Sequence, residues 1–366
     1  MKVSVVTLHA VSNYGSLLQT YATQKVLEQI GCQAEIVDYR RKPVLPKTVK
    51  QILTDPEYDP VMKLKLILIK PSGNKAKRVK DSFLNRYVHL TKQLYTADED
   101  FLKYPIEADV YCTGSDQVWN TGWHGEIPAP FFLGFVPDDK KKIAFSASIG
   151  KEELEEWEKP GIREYLKRYA AISVREKSAV GIIRSLDAQL NAVQVLDPTL
   201  AADPEIWQKL ASPERVVKEK YVLIYQLSGH EYLGKYAQEL AKKKHLKLIR
   251  ICTRYDSLLS IGHGIVLPRV EDFLALFRDA EYIVTNSFHG TAFSLIFHKQ
   301  LVDIYPKLYS TRLASILELT GLQARHLTDY SDFSLPDQPI DYDTVDGILA
   351  QEREKTRAFL QEVIYG

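Results

Sequence analysis

The stretch Tyr282–Phe297, with the sequence YIVTNSFHGTAFSLIF, decides the predicted fold. Its first residues form a short apolar, β-branched run that predicts a buried strand, and the apolar run Ala292–Phe297 predicts a helix. The polar residues between these two runs predict a tight turn that leads into the helix. In an open parallel sheet, a turn of this kind faces the crevice in which ligands bind.

This turn carries groups suited to an anionic ligand. The first turn of a helix offers unpaired N–H groups and a partial positive charge. Gly290 allows close approach of backbone or ligand, and His289 is the one side chain in the turn that exchanges a proton near neutral pH. The alternative interpretation is structural, since Ser and Thr are ordinary helix caps and a histidine in a turn often has no chemical role.

Length and composition predict two lobes and exclude several classes of protein. A chain of 366 residues is longer than a typical α/β domain, and its net charge of +1 gives no indication of nucleic-acid binding. The three cysteines lie far apart in or beside apolar runs, which favours buried thiols in a reducing compartment. Without a signal-peptide pattern or a membrane-spanning stretch, we expect a cytoplasmic protein. We predict an N-terminal lobe over residues 1–205, a C-terminal lobe over 206–340 and a helix over 341–366 that crosses back to the first lobe.

The N-terminal lobe opens with the same order of strand, polar turn and helix. Lys2–Leu8 predicts a strand, Leu17–Ile30 a helix ended by Gly31, and Ala34–Asp38 a second strand. This opening is Rossmann-like, but the glycine fingerprint of a dinucleotide site is missing.

Other predicted strands end in side chains that can take part in chemistry. One strand is followed by Asp116, which can act as a base or accept a hydrogen bond from a hydroxyl. Another ends directly before Arg175, whose planar fork suits a carboxylate or phosphate. The structural alternatives are a capping aspartate and a salt bridge from Arg175 to Glu176. The small residues of Ser146–Gly150 suggest close ligand approach, and Asp197–Thr199 is predicted as the turn that closes the first lobe.

A basic insertion at about residues 41–80 interrupts this pattern with several prolines. Seven lysines and arginines lie between Val61 and Lys80, with no acidic residue among them. We expect a solvated insertion in which a helix begins only at Lys77. The alternative is that Lys63–Lys80 is a surface for anionic membrane lipid or for a lipid diphosphate acceptor, with the apolar residues of Met62–Ile69 facing the lipid. Each basic residue near such a surface adds about 1 kcal/mol.

Six motifs stand out when the chain is considered as a whole: Asn13–Gln19, Gly114–Asn120, Ser146–Gly150, Ser173–Glu176, Asp197–Thr199 and Thr285–Thr291. In this order they resemble the motifs of the polysaccharide pyruvyl transferase family. The basic insertion and the residues after Asp329 depart from the resemblance.

The resemblance implies an α/β fold of two Rossmann-like lobes, similar to the glycosyltransferase B type, with the site in the cleft between them. It implies transfer of a pyruvyl group from phosphoenolpyruvate to a sugar of a bacterial cell-envelope, capsular or exopolysaccharide glycan. The product is a ketal, and phosphate is released. The implied partners are phosphoenolpyruvate and a sugar or lipid-linked oligosaccharide acceptor, with no metal or cofactor and no nucleic acid. The protein would act in the cytoplasm or at the inner face of the plasma membrane.

In this chemistry we expect His289 to be the general acid or a phosphate-neutralising group. Arg175 would hold the carboxylate or phosphate, and Asp116 would accept a proton from the sugar hydroxyl or orient it. The expected substrate-binding residues are Asn13, Gly15, Ser115, Gln117, Ser287, Gly290, Thr291 and Arg312. Two alternatives stay open: a nucleotide-sugar glycosyltransferase of the same fold, in which His289 and Arg175 bind a diphosphate, and a glycan-binding protein without turnover.

Overall fold

Short apolar runs form the central strands in both halves of the chain. A computed structural model describes residues 1–41, 48–306 and 310–366, and within these ranges the strands form two sheets that are parallel throughout. The first sheet has the order β3-β2-β1-β4-β5-β6-β7, with strands Lys2–Val6, Gln33–Tyr39, Leu90–Tyr95, Val110–Thr113, Lys141–Ala147, Ala171–Val174 and Ala192–Gln194 as β1 to β7. The second has the order β10-β9-β8-β11-β12, with Tyr221–Tyr225, Lys247–Cys252, His263–Val266, Tyr282–Thr285 and Gln300–Asp303 as β8 to β12.

Helices connect these strands. In the described residues they are α1 to α14, in chain order Tyr14–Gln29, Val49–Thr54, Pro60–Tyr87, Asp98–Lys103, Thr121–His124, Lys159–Leu166, Lys177–Leu186, Pro198–Ala201, Glu205–Leu210, Leu233–Lys243, Val270–Arg278, Phe288–Ile296, Thr311–Leu319 and Tyr342–Tyr365. The predicted α/β fold with two Rossmann-like lobes is confirmed.

Two helices begin earlier than their apolar runs predict. α1 begins at Tyr14 instead of Leu17, because the Asn13 side chain caps it. α12 begins at Phe288 instead of Ala292, with the Ser287 side chain as its cap. In both cases the polar motif forms the first helical turn, so its residues lie at the positive end of the helix.

The basic insertion is largely helical, which corrects the expectation of a solvated segment broken by prolines. α3 runs for 28 residues, because Pro60 occupies the first turn, where no N–H is needed, and Asp59 caps the helix. Pro71 lies inside the helix. Residues 42–47 of the predicted insertion lie outside the described part of the chain.

The second half of α3 packs against the C-terminal lobe. The Lys75 ammonium donates to the Val266 carbonyl at 2.7 Å, and the Ser72 hydroxyl accepts from the Tyr255 N–H at 2.9 Å. Lys80 donates back to the Ala10 carbonyl in the first lobe at 2.8 Å. Because these groups hold both lobes, this part of the insertion is a bridge and not a free arm.

Apolar contacts hold the two lobes against each other. The Tyr14 ring stacks on Phe273 with centroids 4.4 Å apart, and its hydroxyl donates to the Pro268 carbonyl at 2.6 Å. The last helix, α14, returns to the first lobe, where the Tyr365 hydroxyl donates to the Ile30 carbonyl at 3.0 Å. One continuous apolar cluster therefore runs from the first sheet to the second.

Candidate active site in the cleft

Several of the predicted site residues lie beside the point in each sheet where the strand order reverses. This reversal falls between β1 and β4 in the first sheet and between β8 and β11 in the second. The loops after these four strands line a cavity of about 510 Å³ between the lobes. Among the residues predicted from the sequence, those lining this cavity are Asn13, Asp116, Gln117, Ser287, His289 and Arg312. A ligand crevice at such a switch point is the general rule for open α/β sheets.

The N-termini of α1 and α12, one from each lobe, meet at this cavity. The Asn13 carboxamide oxygen accepts from the Gly15 N–H at 2.9 Å, and the Ser287 hydroxyl accepts from the Gly290 N–H at 3.3 Å. Each cap satisfies one backbone donor and leaves the partial positive charge of its helix directed at the cleft. Two converging helix N-termini suit a small, multiply negative ligand.

Gly15 forms the point of contact between the two helix ends. A Cβ atom on Gly15 would fall within 2.7 Å of three ring atoms of His289, closer than real Cβ contacts come. Glycine is therefore required here so that the two lobes can close on each other. The predicted substrate-binding role of Gly15 stays a prediction, while its packing against the imidazole follows from the geometry.

Gly290 and Thr291 face away from the cavity. A side chain on Gly290 would overlap Thr285 on β11, so its absence allows α12 to pack closely on the sheet. The Thr291 hydroxyl is buried and donates to the Asp303 carboxylate at 2.6 Å. Burial raises the pKa of Asp303 to about 8. These contacts fix the position of α12, and in this geometry neither residue reaches the ligand space.

His289 is buried at the cavity wall and is neutral at pH 7 in the unliganded site. Burial lowers its pKa to about 4, against the opposing effect of Asp197, whose carboxylate lies 3.9 Å from Nε2. Nε2 has no hydrogen-bond partner among the described residues. An anion placed beside the ring would raise the pKa of the imidazole, because it stabilises the protonated form.

Arg175 lies behind the cavity wall instead of on it. Its side chain is 1% exposed, and Nη1 donates to the Asp197 carboxylate at 2.6 Å. The Phe288 ring covers the guanidinium, with its centroid 4.6 Å from Cζ. The predicted direct grip on the substrate stays a prediction. In this geometry Arg175 neutralises buried carboxylates, including Asp116 at 3.7 Å.

Asp116 is held at the cavity in a conformation that few residues adopt. Its φ is 75°, in the left-handed region, where aspartate is tolerated better than most residues. The carboxylate accepts from the Ser16 hydroxyl and from the Gln117 N–H. Burial alone would raise its pKa, but the charge of Arg175, together with the hydrogen bond from Ser16, outweighs burial and lowers it. Asp116 is therefore ionised and able to accept a proton or a hydrogen bond from a hydroxyl.

Asp197 was predicted only as part of a closing turn, and the structure gives it a larger part. One carboxylate oxygen accepts from Arg175 and from the Ser115 hydroxyl at 3.1 Å, and the other accepts from Thr199. Ser115 consequently supports Asp197 and does not line the cavity. The sequence did contain a signal that Asp197 caps a helix, because it lies between a predicted strand and a proline, which is the pattern of a helix cap.

The turn Ser146–Gly150 folds around a carboxylate instead of a ligand. One oxygen of Glu176 accepts from the Ser148 hydroxyl at 3.0 Å and from the N–H groups of Ile149 and Gly150, both at 2.9 Å. The turn lies directly behind Gln117, whose side chain would clash with a Cβ on Gly150. The expectation that these small residues admit the ligand is therefore replaced by a structural role.

The site residues from Asn13 to His289 lie within a part of the chain that matches a known family. The family model for polysaccharide pyruvyl transferase matches residues 13–305. The chain belongs to this family. No sequence among the curated proteins matches it.

The fold of this polysaccharide pyruvyl transferase family member is similar to solved structures with little sequence in common. AviGT4, a glycosyltransferase involved in avilamycin A biosynthesis, has a TM-score of 0.53 at 11% identity, covering 100% of this chain and 97% of its own. MnaA of S. aureus, solved with UDP, has a TM-score of 0.52 at 11% identity, covering 87% and 82%. These similarities establish the two-lobed architecture of the glycosyltransferase B type.

Arg312 lies seven residues beyond the end of the family match at residue 305. It lines the cavity from the start of α13. Its Nε is buried without a hydrogen-bond partner among the described residues. Burial and the neighbouring Arg175 lower its pKa to about 10. A buried cation placed beside a second cation is costly unless an anion completes the site.

Among the described residues, no group of three or more His, Cys, Asp or Glu side chains has an arrangement that could hold a metal ion. In the same residues, no helix combines the length and the apolar character needed to cross a bilayer.

Proposed function

We propose that this protein transfers a pyruvyl group from phosphoenolpyruvate to a sugar, forming a cyclic ketal and releasing phosphate. One structural observation, in addition to the family match, supports phosphoenolpyruvate as the donor. The half-buried Arg312 side chain, whose Nε is buried, and the His289 imidazole line a cavity at the N-termini of α1 and α12. This cavity therefore has the electrostatics of a site for a compact anion.

Phosphoenolpyruvate fits this arrangement because it carries a phosphate and a carboxylate on three carbons. We place its anionic groups between Arg312 and the two helix N-termini, where Asn13 and Ser287 present the caps. Arg175 acts from behind the wall by neutralising Asp116 and Asp197, so that these carboxylates do not repel the ligand. The donor brings the net negative charge that the imidazole needs in order to become protonated.

The proton steps then follow from the two titratable side chains. His289, charged once the donor is bound, gives a proton to the methylene carbon, and positive charge develops on the neighbouring carbon. A sugar hydroxyl attacks that carbon, and Asp116 accepts the hydroxyl proton. A second hydroxyl of the same sugar displaces phosphate, which leaves with the second proton. A positioned acid or base of this kind is worth about 10²–10⁴-fold in rate.

Each proton that the products carry has a source in these reaction steps. The proton lost from the first hydroxyl restores the one that His289 gave to the new methyl group, and the proton of the second hydroxyl leaves on phosphate. The reaction therefore needs no oxidant, reductant or cofactor. We expect the acceptor to be a sugar of a bacterial cell-envelope, capsular or exopolysaccharide glycan, free or lipid-linked, and the protein to work in the cytoplasm.

A nucleotide-sugar glycosyltransferase is the second candidate, because the fold is that of AviGT4 and of MnaA solved with UDP. The cavity of about 510 Å³ has room for a nucleotide. A glycan-binding protein without turnover is the third. The ionised Asp116 and the titratable His289 on one cavity favour chemistry over binding alone.

The test compares donors before any acceptor is known. Phosphoenolpyruvate should raise the melting temperature of the purified protein more than UDP, and the Arg312→Met variant should lose this response. The second step incubates the protein with phosphoenolpyruvate and a panel of sugar glycosides and lipid-diphosphate-linked sugars. Release of phosphate together with an acceptor that gains a pyruvyl ketal supports the proposal. A preference for UDP, or an acceptor that gains a hexose, would overturn it.

A further inference from the structure

The charged side chains that line the cavity are gathered in one part of it. Asp116, His289 and Arg312 all lie within electrostatic range of one another, and this is where the proposed donor binds. The loop after β8, residues Leu227–Gly229, and Thr253 after β9 line the same cavity without any charge. We call Leu227–Gly229 the β8 loop. A cavity of about 510 Å³ is of the size that holds a drug-sized molecule, so the three-carbon donor leaves room for a second ligand beside this loop.

Asn286 holds the β8 loop in place. Its side chain is buried, and its carboxamide oxygen accepts from the Leu227 N–H at 3.0 Å. Its carboxamide nitrogen donates to the Ser228 carbonyl at 2.9 Å and to the Ser228 hydroxyl at 3.0 Å. Because the Ser228 hydroxyl accepts this bond, its own proton is directed to another acceptor. Asn286 directly precedes Ser287, the cap of α12, so one turn fixes both the helix end and the β8 loop.

The side chains of the β8 loop border open space. Leu227 is 45% exposed although it lines the cavity, and Ser228 is exposed as well. A Cβ atom on Gly229 would meet no described atom within 4 Å, whereas one on Gly15 would overlap its neighbours. The loop therefore presents an apolar side chain and a hydroxyl group next to unfilled volume.

This combination suits a sugar ring better than a nucleobase. A hexose alternates apolar C–H groups with hydroxyl groups, so it matches an apolar side chain beside a hydroxyl. A nucleobase is commonly bound by stacking on an aromatic face. Among the lining residues that the structure describes, Phe288 is the one Phe, Tyr or Trp side chain, and its ring lies over the Arg175 guanidinium.

We propose that Leu227, Ser228 and Thr253 form the acceptor subsite, which takes one uncharged sugar ring, and that Asn286 is the positioning residue that holds it. This inference rests on the proposed function, because it assigns the charged part of the cavity to phosphoenolpyruvate. Leu227 packs against the C–H face of the ring, and the two hydroxyl side chains bond to its hydroxyl groups. Asp116 lines the same cavity and accepts the proton of the hydroxyl that reacts.

Gly229→Leu tests the subsite by filling it. The φ of Gly229 is outside the left-handed region and the added side chain enters open space, so the fold should keep its stability. Saturation-transfer NMR with methyl glycosides of common hexoses, with and without phosphoenolpyruvate, measures acceptor binding, and calorimetry measures donor affinity. The variant should bind glycosides about 10-fold or more weakly, since overfilling a packed site carries a large penalty. Gly347→Leu, on α14, also enters open space and should change neither affinity.

Asn286→Ala tests the positioning role. Loss of its hydrogen bonds to the β8 loop should weaken glycoside binding about 10-fold, or raise the KM of an acceptor that turns over by as much. The affinity for phosphoenolpyruvate should stay the same. Gln24→Ala is the matched control, because this buried amide accepts from the His89 N–H at 2.7 Å and donates to the Tyr87 carbonyl at 3.4 Å in the first lobe. It should lower stability without affecting glycoside binding.

Three results would overturn the proposal. The first is unchanged glycoside binding in Gly229→Leu, and the second is no glycoside binding by the unaltered protein. The third is UDP binding that Gly229→Leu weakens while glycoside binding is unaffected, which would assign the β8 loop to a nucleotide.

The acceptor subsite and the proposed reaction fail separately in these experiments. Turnover of phosphoenolpyruvate with a sugar whose KM is the same in Gly229→Leu and in the unaltered protein removes the subsite alone. Glycoside binding that Gly229→Leu abolishes, with no reaction of phosphoenolpyruvate, keeps a sugar site and removes the proposed reaction alone.

Discussion

Replacing Arg312 by Met should stabilise the protein and weaken donor binding at the same time. The lowered pKa of Arg312, about 10 against an ordinary 12.5, means that the unliganded fold disfavours the charged guanidinium. At 1.36 kcal/mol per pKa unit, a lowering of this size corresponds to a penalty on the order of 3 kcal/mol. Because the unfolded chain keeps this arginine charged and solvated at pH 7, the penalty falls on the folded state alone. Methionine fills a similar volume without that penalty.

Phosphoenolpyruvate reverses this balance, since its anionic groups would pair with the guanidinium. A hydrogen bond to a charged group is worth about 1.5–3 kcal/mol, so Arg312→Met should weaken donor binding by about 10–150-fold. Arg312→Lys keeps the charge but loses the planar fork, and we expect an intermediate affinity. Urea unfolding without ligand measures the stability, and calorimetric titration with phosphoenolpyruvate measures the affinity.

Arg325 provides the matched control. Arg325 is buried, and its guanidinium donates to the carbonyls of Leu335 and Gln338. Arg325→Met leaves these carbonyls without their donors and should lower the free energy of unfolding by about 1–3 kcal/mol for each, with donor affinity unchanged. The reasoning is refuted if Arg312→Met destabilises the protein as much as Arg325→Met does and leaves phosphoenolpyruvate binding intact.

Three further predictions follow from the site. His289→Gln should abolish turnover without unfolding the protein. Because the pKa of His289 is about 4 in the folded protein and 6.5 in the unfolded chain, the unaltered protein should lose stability as the pH falls from 6.5 to 4. Urea unfolding at several pH values should show a smaller loss of stability in the variant. Gly15→Ala should cost about 1–3 kcal/mol and at least tenfold in activity by pushing on His289, whereas Gly181→Ala, in open space, should be neutral or slightly stabilising in thermal melts. Asp197→Asn should cost about 3–5 kcal/mol in chemical unfolding, since Arg175 is left without its closest carboxylate, and retention of full stability would contradict this.

The sequence predicted most strands and the two lobes because these depend on local pattern. The predicted strands Lys2–Leu8 and Ala34–Asp38 correspond to β1 and β2 and differ from them only at their ends. Each is a short apolar run bounded by polar residues, and that signal does not depend on the rest of the chain. Strands with weak apolar character, such as Leu90–Tyr95 and His263–Val266, carried no such signal and were missed.

The same local pattern placed polar residues at the carboxyl ends of strands, and parallel topology then brought them to one cleft. Asn13, Asp116 and His289 line the cavity as predicted for residues at such positions. The local sequence pattern did not show which of the polar side chains after the strands face the cavity. Arg175 follows its strand directly, and Thr291 lies in the first turn of the helix after β11, yet the Phe288 ring covers Arg175 and the Thr291 hydroxyl is hydrogen-bonded to Asp303.

The sequence by itself therefore determined most of the strands and helices, the two-lobed α/β class and the set of polar turns from which a site is built. Tertiary structure decided which of these side chains meets the ligand space, that Asp197 is the common partner of Arg175 and His289, and that α3 spans both lobes. The physical reason is that hydrogen-bonded elements arise from neighbouring residues, whereas burial and charge pairing arise from groups that only closure of the chain brings together.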